Sequence, residues 1–358
     1  MKAYITSSGV ISPQNTHDSS GFPAAVNTFT ANRLTCTEPD YRGLINPIQL
    51  RRMPRIIKMG LAASHLCIQR AGGSSPDAII IGTGLGCMDN LEKFLVEVID
   101  TNEHITSVLP FINTTHNAVA AQVAMLLNNH GYNVTYCHRG FSFESALGDA
   151  LMRIGEGEAQ NVLVGGIDEC TGDFVKLNGY HGAWKQPLIN LELASTKTAG
   201  TIAGEGSAFF MLSDNPIHDN CIAVEGVHTF FIPQGAQFDE IAAETDNFLQ
   251  QNNTGRDEID IVLLGINGDI VSDAGYNNMM ENFFIPGTGF AMYKHLCGEY
   301  YTSSSFALWL GSVILENQSI PGVTQVLPAA GRSFKKLLIY NHYRNTEHTL
   351  ILLGYGGI

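Results

Sequence analysis

No apolar stretch of the 358-residue sequence approaches the ~20 residues that a membrane-crossing helix needs. The opening Met1–Thr6 lacks the charged and long apolar regions of a secretory leader. These two absences predict a soluble, cytoplasmic protein with no membrane span. Positive charge is scarce as well: 20 Lys and Arg stand against 34 Asp and Glu, a net of −14. A nucleic-acid binder shows the opposite balance or a long basic stripe, so no nucleic-acid partner is expected. Paired cysteines are also missing. The seven thiols lie at 36, 67, 87, 137, 170, 221 and 297, an odd number with no C-x-x-C spacing. That pattern argues against a disulfide framework or a zinc centre, and the thiols read as reduced and mostly buried. The 12 histidines show neither H-x-x-x-H nor H-E-x-x-H spacing, so no metal is expected. The glycine turn Gly82–Gly86 is followed by no Gly-Lys-Ser/Thr and is not a P-loop. It does not complete a dinucleotide fingerprint either, because the third glycine position holds Cys87 or Asp89.

What is present is a large apolar content, 44% of residues, enough for a sizeable core and too much for a disordered chain. Lys2–Val10 reads as a strand, and residues 14–47 as loops. A helical stripe runs from Leu50 to Ala71. The run Ala78–Ile81 reads as a strand buried on both faces. Met88–Ile99, Asn117–Leu127 and Phe143–Gly155 read as helices, Asn133–Cys137 and Asn161–Val164 as strands. The style repeats after a break near residues 214–220. Strands are expected at Cys221–His228, Ile259–Gly265, Lys336–Tyr340 and His348–Leu353, with an amphipathic helix at Tyr301–Leu315. Alternating strands and helices predict a layered α/β body with largely parallel sheets, built from two similar halves, 1–215 and 216–358.

Several segments carry a family resemblance. Tyr4–Pro13 resembles the opening strand of β-ketoacyl synthases, and Leu50–Arg55 (LRRMPR) is similar to their L-R-R-M-D-R helix start. Gly82–Gly86 resembles their G-T-G-x-G turn. Pro110-Phe111 with Asn117–Ala124 resembles their P-x…N-x-x-A-G-x-I-A segment. Gly165–Asp168 resembles G-G-x-E with Asp for Glu, and Gly204–Ala208 resembles G-E-G-A-A. Order and spacing hold over nearly the whole chain. The resemblance implies the thiolase fold, a five-layered α-β-α-β-α sandwich of two similar halves, usually dimeric.

The family's chemistry uses a cysteine at a helix start, which takes the acyl group as a thioester. The helix end lowers its pKa and supplies oxyanion donors. Two histidines then assist decarboxylation and stabilise the enolate. Counting back from Gly165-Gly166 along an ungapped helix puts the nucleophile position at Gly140, which has no side chain. The first histidine position matches Asn267, and the second matches Glu299 in Lys294–Glu299, where Lys294 keeps the family lysine. His342–Glu347 replaces the family's closing G-F-G-G-x-N loop. Cys137, three residues before Gly140, is an alternative nucleophile if the strand–helix junction shifts, with His138 or His295 assisting; otherwise it is a packed strand cysteine. Phe141 and Phe143 line an acyl tunnel or are plain core. His138-Arg139 binds a phosphate, or Arg139 packs against Glu144 or Asp149.

Three functions therefore stay open. One is a non-condensing subunit of fatty-acid or polyketide (aryl-polyene-like) synthesis, of the chain-length-factor type, paired with an active ketosynthase. Another is an active 3-oxoacyl-carrier-protein synthase using Cys137. The third is a scaffold or binding protein on the same fold. The implied partners are a ketosynthase subunit and an acyl carrier protein, in a homo- or heterodimer joined through the edge strand Asn133–Cys137. No cofactor of the chain's own is implied; the acyl group arrives on the carrier's phosphopantetheine arm. Arg51, Arg52, Arg55 and Lys58 form the one dense basic cluster and the expected carrier-docking face.

Overall fold

The computed structural model describes residues 2–18, 21–104, 111–216, 221–233, 238–331 and 333–356. Pro110 and part of the expected break at 214–220 lie outside the described residues. In the first half, strands β1 (Ala3–Ile11), β2 (Ala78–Gly82), β3 (Tyr132–Tyr136), β4 (Asn161–Asp168) and β5 (Gly206–Ser213) line up as β3-β2-β4-β5-β1. In the second, β6 (Ile222–Phe231), β7 (Ile261–Leu264), β8 (Gly289–Met292), β10 (Lys336–Tyr343) and β11 (Glu347–Tyr355) line up as β8-β7-β10-β11-β6, with β9 (Gln325–Leu327) outside β8. Both halves share one pattern of direction. Three strands run parallel, the fourth is antiparallel to them, and the fifth is antiparallel to the fourth. The sheets are therefore mixed rather than largely parallel. The halves meet where β1 and β6 pair antiparallel, Tyr4 opposite Ala223.

The apolar strands divide their side chains between two cores, as period-2 alternation requires. Ile80, Val162 and Val164 face a central core shared with Ile261, Leu263, Ile339, Ile351 and Leu353 of the other sheet. Between the sheets lie α4 (Ser142–Gly155) and α7 (Ser303–Asn317), whose Phe143, Leu147, Phe306 and Trp309 fill that core. Ile79, Ile81 and Leu163 face outward onto α1 (Arg55–Arg70) and α3 (Ala118–Leu127). On the other side, Val262, Leu264, Leu338 and Leu350 meet α5 (Phe238–Gln251) and α6 (Asp273–Asn282). The result is the five-layered sandwich. The remaining long helix, α2 (Met88–Asp100), has no fully buried residue.

Two helices differ from expectation for clear reasons. α1 starts at Arg55, because Pro54 has ψ 150° and ends the run that the stripe from Leu50 suggested. Arg51 and Arg52 sit in the preceding turn, outside the helix that carries Arg55 and Lys58. α7 is not amphipathic: every residue from Ser303 to Leu315 is buried, since a helix between two sheets has no solvent face. Among the described residues, no helix is long and apolar enough to cross a membrane.

Candidate functional site

Loops leaving equivalent strands bring the expected site residues together. Asn267 follows β7, Lys294 and Glu299 lie between β8 and α7, and Gly140 lies between β3 and α4. The Lys294 ammonium, 0% exposed, lies 2.8 and 2.7 Å from the two carboxylate oxygens of Glu299. The Asn267 side-chain N–H donates to Glu299 Oε2 at 2.8 Å, and its Oδ1 accepts from the Asp269 amide at 3.0 Å. The backbone amides of Asn267 and Gly268 donate in turn to the Asp273 carboxylate. Burial raises the Asp273 pKa to about 6. The Lys294 and Glu299 charges offset each other, and the cluster is internally hydrogen-bonded. Its asparagine has no titrating nitrogen with which to carry a proton. A cleft of about 350 Å³ reaches it, lined among others by Trp184, Asn267, Glu299, Tyr343 and Arg344.

Gly140 sits in a short 3-10 turn directly before α4. Its amide donates to Glu347 Oε2 at 3.0 Å. A Cβ built on Gly140 would lie 2.5 Å from that oxygen and 2.9 Å from the Cβ of Tyr343. The position expected to carry the nucleophile thus has no side chain, and Tyr343 and Glu347 close in on it. Sequence reasoning noted the altered 342–347 segment but not that Tyr343 and Glu347 cover Gly140; these partners are 203 and 207 residues away.

The alternative nucleophile is poorly served. Cys137 lies past the end of β3 and is exposed, not packed in the strand. Its Sγ contacts the Gly84 carbonyl at 3.5 Å. Although the residue is exposed, partial desolvation of its thiol and then the Asp168 charge push its pKa up, the opposite of thiolate activation. The His138 ring packs edge-on against Phe141 at 5.5 Å. His295 is buried, and burial pushes its pKa down to about 4. Arg139 is exposed, with φ +49°, rather than packed against Glu144 or Asp149. Phe143 is plain core, 6.2 Å from Phe210, and Phe141 is half-buried.

Two carboxylates hold the surroundings in place. Asp168 Oδ1 accepts from the Thr83 hydroxyl and the amides of Gly84 and Leu85, and Oδ2 from the amide and hydroxyl of Thr302. It ties the glycine turn of the first half to the start of α7 in the second. Glu205 is 0% exposed and takes both terminal nitrogens of Arg55, at 2.8 and 2.6 Å, plus the amides of Cys36 and Cys170. Arg55 also pairs with Glu38. Its charge is committed inward, leaving exposed Arg51 and Arg52 and half-buried Lys58 as the basic face.

Glu144 on α4 accepts from the Thr349 hydroxyl at 3.2 Å, and burial raises its pKa from 4.5 to about 7. A raised carboxyl pKa means that the native state binds the proton more tightly than the unfolded chain. Stability contributed by this group therefore falls as pH rises from about 4.5 to 7, and the full cost is present above that. Glu144→Gln removes the titration. The stability difference between variant and wild type is expected to shift in the variant's favour by up to about 3 kcal/mol between pH 5 and pH 8.5. Urea unfolding at the two pH values measures it; an unchanged difference would show that Glu144 does not titrate in this window.

Residues 14–216 match the family described as the β-ketoacyl synthase N-terminal domain. No curated protein matches the chain significantly. Solved structures of the same fold include the ishigamide ketosynthase/chain length factor, with TM-score 0.81 and 16% identity over 99% of this chain and 98% of that one. A β-ketoacyl synthase from Burkholderia phymatum superposes with TM-score 0.80 and 13% identity, over 99% of each chain. A ketosynthase (ApeO) in complex with its chain length factor (ApeC) from Xenorhabdus doucetiae gives TM-score 0.73 and 16% identity, over 99% of this chain and 98% of that one. With more than half of its length matched by the family and the thiolase-like sandwich throughout, the chain belongs to the β-ketoacyl synthase family.

Proposed function

We propose that this chain is a non-condensing subunit of the chain-length-factor type, working beside an active ketosynthase in fatty-acid or polyketide (aryl-polyene-like) assembly. The observation that carries the reading is Gly140: the position that must bear the nucleophile has no side chain, and its amide is bonded to Glu347. Asn267 and Glu299 in the histidine positions, the latter locked to Lys294, add to it. Pairing is supported by β3, which ends the sheet, and by exposed apolar side chains on the same half, Phe111 at 55% and Met125 at 73%. A second thiolase-fold subunit is the occupant that such an edge suits. The phosphopantetheine arm of an acyl carrier protein brings the acyl group to the pair, with Arg51, Arg52 and Lys58 as this subunit's contribution to docking.

The test is a purified chain offered malonyl-carrier protein alone and together with a ketosynthase encoded beside it. No decarboxylation or elongation is expected alone, and a heterodimer with condensing activity is expected together. Turnover by the single chain that disappears in Cys137→Ala would overturn the proposal in favour of an acyltransferase. Reversing Arg51 and Arg52 to Glu in the pair is expected to weaken carrier binding at low salt and much less at high salt.

A further inference from the structure

The tip of the β10–β11 hairpin stands where the nucleophile is missing. Tyr343 and Glu347 are directly opposed across the hairpin, so both side chains project from one face. That face lies over Gly140, whose amide donates to Glu347 and on which an added Cβ would meet the Tyr343 Cβ. Tyr343 also lines the cleft that leads to Asn267 and Glu299, and its ring packs on Tyr301 at 4.8 Å. The turn that holds this geometry is strained. Arg344 and Asn345 both have left-handed backbones, φ +53° and +55°, which asparagine tolerates in a hairpin turn but which costs energy at Arg344. Surrounding bonds keep it so: the Thr346 amide donates to the Tyr343 carbonyl, the Ile232 amide to the Thr346 carbonyl, and the Asn345 amide to His342 Nδ1. Strain maintained by neighbours at such a place points to a role rather than a defect.

We infer that Glu347 is a built-in anionic occupant of the Gly140 amide, with Tyr343 as its cover, so that the hairpin tip shuts this position against acyl ligands. The inference rests on the non-condensing reading and adds the device that enforces it. A free amide at the entrance to α4, where the helix end carries partial positive charge, attracts carboxylates and oxyanions. A carboxylate held by the fold meets that amide at a high effective concentration and outcompetes dissolved ones. Removing it should hand the position to a small external carboxylate.

The test compares wild type, Glu347→Ala and Glu347→Gln in sodium acetate and in sodium chloride of equal ionic strength. Glutamine keeps a carbonyl that can accept the same hydrogen bond. For Glu347→Ala, acetate is expected to raise the unfolding midpoint saturably, by about 2 °C relative to chloride. It should also restore slow hydrogen exchange in the peptide containing Gly140. Wild type and Glu347→Gln should show neither effect. A folded Glu347→Ala chain that treats acetate and chloride alike overturns the inference, as does a wild type that responds like the variant. A variant that folds only in acetate supports it, and one unfolded in both salts overturns it. Condensation by the unmodified single chain would overturn the non-condensing reading and leave the acetate result standing, so the two failures are separable.

Discussion

Lys294→Met is expected to destabilise the chain by about 3–5 kcal/mol, the range for removing one partner of a buried ion pair. The variant leaves Glu299, only 8% exposed, as a charge whose remaining side-chain donor is Asn267. The double variant Lys294→Met/Glu299→Leu removes both charges together and is expected to recover most of the loss, because apolar replacement of a whole buried pair is often neutral or better. Urea unfolding of both variants at one fixed protein concentration measures this. A cost below about 1 kcal/mol for Lys294→Met would show that the pair behaves like a solvated surface bridge. The distinction matters for function. On the proposed reading, a pair whose two charges are spent on each other does not supply the proton handling that a condensing histidine would.

Much of this arrangement was legible before any coordinates, and the limits have physical causes. The Gly140, Asn267, Lys294 and Glu299 positions follow from motifs at strand ends, where spacing is set locally by the strand–turn–helix geometry. The doubly buried run Ala78–Ile81 is parallel to both its neighbours, but the antiparallel pairing of the equally buried Gly206–Ser213 was not legible, because a strand buried on both faces shows no period that distinguishes its neighbours. α7 was misread as amphipathic for the related reason that its layer is invisible in a single segment. The basic cluster shows a different limit. Arg55 looks like its neighbours Arg51 and Arg52, yet Glu205, 150 residues later, draws its guanidinium inward. Both residues stood in recognised motifs; nothing in either says that they meet. The Glu347–Gly140 contact depends on hairpin register, in which a shift of one residue would turn the carboxylate to the other face.

Gly140→Cys alone is expected to leave the chain without a usable nucleophile and to cost about 2–3 kcal/mol, as overpacking of a closed site does. The new Cβ would meet two obstacles of unequal stiffness, Glu347 Oε2 at 2.5 Å and Tyr343 Cβ at 2.9 Å. The carboxylate is the far end of a flexible side chain and can swing away, giving up its bond to the Gly140 amide. The Tyr343 Cβ is fixed by the β10 backbone and cannot. Gly140→Cys/Glu347→Ala should therefore recover only part of the lost stability. Adding Tyr343→Ala should help little, since alanine keeps the same Cβ, whereas Tyr343→Gly removes the second obstacle, at some cost to the strand. Denaturant unfolding ranks the variants, and intact-mass analysis after incubation with an acyl-carrier donor reports thioester formation. On the proposed reading, the variant with both obstacles removed is expected to acylate at most, because Asn267 and the Lys294–Glu299 pair still stand where the family resemblance puts the two histidines. A Gly140→Cys single variant as stable as wild type and readily acylated would show instead that the hairpin yields, and that glycine alone keeps this chain from forming the thioester.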